Sequence, residues 1–138
     1  MLEDCPVMTP AQARQLSPLQ LAYLGDGVWE LLVRRRLLAQ GLRISHLHAE
    51  AIRRVNATAQ AQAMAALLPR LTGEERDVAL RGRNTRPHHG APKHQSAIAY
   101  AEATALETLF GYLYLTGQEA RLLELFRATQ EEEPHAED

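Results

Sequence analysis

Apolar residues recur at helical spacing along most of the chain. Leu21, Leu24, Val28, Leu31, Leu32 and Leu38 fall mostly three or four residues apart between Ser17-Pro18 and Gly41. Serine caps a helix, a proline in the first turn loses no needed N–H, and glycine is a favoured stop, so a helix is predicted over residues 18–40. A second helix is expected from Ser45 through Leu47, Ala51, Ile52 and Val55. It should break near residues 56–58, where Thr58 is expected to cap a third segment through Met64 to Leu68. Thr72 followed by Glu75 has the spacing of a capping box, opening a short helix that ends near Arg83. Ile98, Ala101, Ala105, Leu109, Tyr112 and Leu113 predict a long helix over residues 96–116, closed by Gly117, with a last helix over about 118–129. Residues 84–95 (NTRPHHGAPKHQ) hold two prolines, a glycine and no apolar period, and read as a loop. No strand alternation and no internal repeat occurs, so the expected fold class is all-α, a bundle of about six helices.

Composition agrees with that pattern. Alanine and leucine contribute 22 residues each out of 138, and aromatics only 5%, which favours close-packed helices over a β-sandwich. A chain of 138 residues is expected to form one domain. Its single cysteine, Cys5, can form neither an internal disulfide nor a Cys-rich zinc site. No run approaches the roughly 18 apolar residues of a membrane span, and MLEDCPVMTP lacks a signal-peptide pattern. A cytoplasmic location is the expectation.

The net charge of −2 conceals a strong asymmetry: residues 1–33 carry −3, residues 34–94 carry +8, and residues 95–138 carry −7. Five of the last acids lie in the terminal EEEPHAED. Residues 131–138 therefore read as a disordered acidic tail behind a domain over residues 1–130. The basic middle suits a polyanionic partner, although a solvated surface gives the same pattern.

Two carboxylates stand out because their surroundings are apolar. Asp26 is flanked by Gly25 and Gly27 in the middle of an apolar helix, where each glycine costs roughly 1 kcal/mol relative to alanine. Small neighbours would admit another helix, a metal ion or a phosphate. The alternative is a buried aspartate hydrogen-bonded to a neighbouring helix. Glu30, one turn on, could share a divalent ion with Asp26 or answer Arg34. Glu107 is the second, inside AYAEATALETLFGYLYL, whereas Glu102 is better explained as solvent-facing. Carboxylates from two long helices would supply hard oxygen ligands of the kind magnesium accepts, and a structural pair is the competing reading. His46, His48, His88, His89 and His94 lack the spacing of a metal site. Arg81, Arg83, Arg86 and Lys93 surround the loop and are candidates for phosphate contact.

These segments resemble the ribonuclease III family. LAYLGDGVWELLVRRRL (21–37) is similar to its helical LGD signature, ATALETLFGYLYLTG (103–117) to its second acidic helix, and RGRN (81–84) lies between them in the same order. The resemblance covers about residues 16–127 and is closest to the Mini-ribonuclease III branch, a nuclease domain without an attached double-stranded-RNA-binding domain. It implies a ribonuclease III-like helical endonuclease domain, a homodimer, and Mg2+-dependent cleavage of double-stranded RNA. The implied substrate is the 23S ribosomal RNA precursor. Asp26 matches the catalytic aspartate and Glu107 the metal-binding glutamate; together they are the expected catalytic and metal-holding residues, with Arg81, Arg83, Arg86 and Lys93 expected to bind RNA. Full-length relatives place further carboxylates where this chain has Ala22 and Thr104, which implies weaker metal binding. A non-catalytic helical dimer that binds double-stranded RNA is the alternative.

Overall fold

The computed structural model describes residues 6–85 and 96–131, and every regular element among them is helical. In chain order these are α1 (Pro10–Arg14), α2 (Pro18–Ala39), α3 (Ile44–Val55), α4 (Ala57–Leu67), a 3-10 turn (Leu68–Arg70), α5 (Gly73–Arg83), α6 (Ala97–Leu115) and α7 (Glu119–Glu131). None of the described helices is long and apolar enough to cross a membrane.

Most boundaries follow local capping chemistry. Ser17 and Thr72 each form a full capping box, with Gln20 and Glu75 reaching back to the cap N–H, and Ser96 caps α6 through the Ala99 N–H. Gly41 and Gly117 take positive φ values of 77° and 72° just beyond α2 and α6, a conformation only glycine adopts freely. Two expectations need correction. The α3–α4 break is capped by Asn56 rather than Thr58: its side chain accepts from the Ala59 N–H at 2.9 Å and donates to the Ile52 and Arg53 carbonyls. One asparagine thus closes one helix and opens the next. The short α1, absent from the apolar pattern, is set by a Thr9–Gln12 capping box and buries only Ala13.

Helix α6 is the centre of the bundle. Almost every residue from 103 to 113 is buried, and α2, α4 and α5 pack around it. This central position explains why its sequence is apolar on all sides. Trp29 of α2 is 2% exposed and packs edge-on against Phe110 and Phe126 at ring separations of 5.3 and 5.2 Å. Its indole N–H donates to the Arg54 carbonyl, so this tryptophan joins α2, α3, α6 and α7 within one chain. Arg121 of α7 donates to both oxygens of buried Glu75 at 2.8 Å and holds that carboxyl below its usual range.

Candidate active site

The site is built on two helix contacts made by glycines. Gly25 of α2 lies so close to α6 that a methyl group there would overlap the Glu107 carbonyl and the Gly111 amide. Reciprocally, a methyl on Gly111 would overlap the Leu21 carbonyl. The two backbones therefore touch, and the residue after Gly25, Asp26, is carried against Glu107. Gly27 does something different: a methyl group there would meet nothing within 4 Å.

The two carboxylates occupy unlike environments. Asp26 is exposed, which removes the reading of it as a buried core aspartate, while Glu107 is largely enclosed. Burial pushes the Glu107 carboxyl up from the usual 4.5 to about 8, and the negative charge of Asp26 and a hydrogen bond with it add to the shift. The opposing influence is Gln60 of α4, whose side-chain N–H donates to Glu107 Oε2 at 3.3 Å. Sequence reasoning does not single out Gln60 as a site residue. Its signal is weak but present, since it falls in register with Ala57, Ala63, Met64 and Leu67 on the buried face of an alanine-rich helix.

Nearby acids are otherwise engaged. Glu30 pairs with Arg34 at 2.6 Å, which settles its role in favour of an exposed helix-surface ion pair. Glu102 is not a free solvent-facing acid, because Arg83 Nε lies 2.8 Å from its Oε1. Ala22 is buried, and the Thr104 hydroxyl donates to the Tyr100 carbonyl, so neither position offers a third carboxylate. No group of three or more His, Cys, Asp or Glu side chains among the described residues could hold a metal ion. Two adjoining carboxylates, one of them destabilised by its own charge, nevertheless fit a small hard cation that completes its shell with water.

Of the expected RNA contacts, Arg81 and Arg83 end α5, whose Gly82 abuts Thr104 and Thr108 of α6. Arg81 is half-buried and forms no ion pair among the described residues, while Arg83 is partly neutralised by Glu102. Neither shares a hydrogen bond or ion pair with Asp26 or Glu107. Arg86 and Lys93 lie outside the described residues.

The described residues form an all-helical bundle with a carboxylate on its central helix facing one on the LGD-bearing helix, the arrangement that the ribonuclease III resemblance implies. Residues 19–118 match the Ribonuclease III domain family. The Mini-ribonuclease 3 of Symbiobacterium thermophilum is 50% identical over 122 residues, covering 88% of this chain and 93% of that protein. That of a Synechococcus species is 44% identical, covering 78% and 77% respectively. The crystal structure of protein FN1578 from Fusobacterium nucleatum superposes with a TM-score of 0.76 at 30% identity, over 86% of this chain and 94% of that one. The chain belongs to the ribonuclease III family, in its Mini-ribonuclease III branch, and is an endoribonuclease. Family membership implies metal dependence and a double-stranded RNA substrate.

Proposed function

We propose that the protein hydrolyses double-stranded RNA at the Asp26–Glu107 pair with magnesium as its ion. The observation that carries this reading is the glycine-mediated contact of α2 and α6, which holds two carboxyl groups together where nothing basic among the described residues answers them. A divalent cation bound there supplies Lewis acidity for breaking a phosphodiester. Asp26 presents its oxygens outward, where a duplex can approach, and Glu107 meets the same point from within the bundle. Gln60, the side chain that donates to Glu107, is no nucleophile, and water is the proposed attacking group. A-form RNA hides its base edges in a deep groove, so recognition falls on phosphates and 2′-hydroxyls. Arg81 and Arg83, with Arg86 and Lys93, are the proposed phosphate contacts. On the family resemblance, the natural substrate is the 23S ribosomal RNA precursor and the setting cytoplasmic.

The deciding experiment is Asp26→Asn. The isosteric amide keeps the packing of an exposed side chain but loses the charge that holds a cation. Cleavage of a labelled duplex in magnesium should fall by at least about a thousandfold, while duplex affinity measured in EDTA stays within about twofold. An Asp26→Asn protein that cuts at the parental rate would remove the aspartate from the mechanism.

The same reading includes a two-fold dimer, which would present one site to each antiparallel strand of a duplex. Its support is the outer face of α2, where Tyr23 is 86%, Leu31 60% and Leu38 65% exposed, with Gly27 opening a shallow gap between the first two. Trp29 is 2% exposed within its own chain and takes no part in this surface. Sedimentation equilibrium should return twice the 15.4 kDa chain mass, and Tyr23→Glu with Leu31→Glu should return the single-chain mass. A parent that sediments as one chain at tens of micromolar would exclude the dimer.

A further inference from the structure

We infer that Gln60 is a positioning residue for the nuclease reaction: its enclosed amide fixes the orientation in which Glu107 faces Asp26. The inference rests on the two-carboxylate reading above and adds to it a residue on a third helix.

Gln60 is only 3% exposed and occupies a core position of α4 whose other members, Ala57, Ala63, Met64 and Leu67, are apolar. An amide in such a place is costly unless it is hydrogen-bonded. Its Nε2 donates to Glu107 Oε2 at 3.3 Å, joining residues 47 apart in the chain. The donor is held firmly. Gln60 lies one turn into α4, its backbone N–H bonds to the Asn56 carbonyl at 3.0 Å, and Asn56 itself locks the junction of α3 and α4 with three side-chain hydrogen bonds.

The chemical type of the partner matters as much as its place. Glu30, Glu50, Glu75 and Glu102 are each answered by an arginine. Glu107 is answered by a neutral amide, which steers one carboxylate oxygen without cancelling the negative charge that a cation requires. An arginine at position 60 would occupy the carboxylate as an ion pair. An aliphatic side chain would remove that restraint and leave the contact with Asp26 alone to orient it. Outer groups that orient a metal-binding carboxylate typically contribute ten- to a hundredfold in metal affinity.

The test is Mn2+ binding by the free protein, read by electron paramagnetic resonance of unbound Mn2+, with duplex affinity in EDTA and thermal unfolding as controls. Gln60→Met conserves volume in an apolar setting and deletes the donor. Its Mn2+ affinity should fall about ten- to a hundredfold, with unfolding temperature and duplex affinity held. Gln60→Asn, too short to reach, should show the same loss. Asp26→Asn and Glu107→Gln are measured alongside. If those two lose Mn2+ binding and a folded Gln60→Met does not, Gln60 has no positioning role. If neither of those two loses it, the carboxylate reading itself has failed. Should Gln60→Met fail to fold, Gln60→Asn decides by the same criterion, and failure of both to fold would make the amide a packing element and overturn the inference.

Discussion

Replacing Gly25 by alanine is expected to unlock the bundle at its centre and to abolish cleavage. The added methyl would overlap the Glu107 carbonyl and the Gly111 amide, both backbone atoms of α6, so no side-chain rotation can relieve it. Overpacking a core ordinarily costs about 1–3 kcal/mol, and a clash between two backbones belongs at the top of that range. The helices must separate, and the separation moves Asp26 away from Glu107 because the clash is at the residue adjoining one and the carbonyl of the other. Urea unfolding in EDTA should show a loss of about 3 kcal/mol, and cleavage should be undetectable even where the variant remains folded. Gly27→Ala is the control for packing within the chain, since nothing of the same chain lies within 4 Å of its methyl and a helix-interior alanine stabilises by up to about 1 kcal/mol. A Gly25→Ala protein within about 1 kcal/mol of the parent, below the usual overpacking cost, would show that α2 and α6 can part easily. A Gly27→Ala protein as damaged as Gly25→Ala would instead show that the second copy proposed for that face packs tightly against Gly27.

The contrast between these two glycines shows where the sequence stops being legible. Both flank Asp26 and both cost the helix equally in propensity, so their spacing alone assigns them one purpose. Only the facing element separates them, and that depends on which side of α2 meets α6. The same ambiguity affects Trp29, whose size suits an interface anchor or a core residue equally; the fold places it between Phe110 and Phe126. What is legible rests on local chemistry. The capping boxes at Ser17 and Thr72, the positive-φ glycines at 41 and 117, and the apolar run of α6 each act within a few residues, so chain order is sufficient to read them. Asn56 escapes such a reading because two capping residues, Asn56 and Thr58, compete within three positions. Gln60 escapes it because a glutamine in an alanine-rich helix is ordinary on the surface, and its burial is decided by α6, 47 residues away. The pairing of Arg83 with Glu102 is of the same long-range kind.

Glu107→Gln is expected to act in opposite directions on stability and on activity. Burial, reinforced by Asp26, raises the Glu107 carboxyl to about 8 in the folded metal-free protein against the usual 4.5 when unfolded. Between those values the folded state binds the proton more tightly than the unfolded state. Stability therefore falls as pH rises from about 4.5 to about 8, and the loss is complete above it. Glutamine cannot ionise, so the variant lacks this slope. Near pH 4 the two proteins should unfold at similar urea concentrations. At pH 8 in EDTA the variant should be the more stable, with roughly 4–5 kcal/mol as the ceiling set by the size of the shift. Cleavage should nevertheless be lost at every pH, because an amide brings no charge to hold a cation. Parallel stability curves for parent and variant across pH 4–8 would show that Glu107 is not strained by its surroundings. The expected divergence has a physical source: burial and the neighbouring Asp26 both disfavour the charged form of Glu107. On the proposed reading, a cation bound there would relieve the repulsion between Asp26 and Glu107 that the metal-free site sustains.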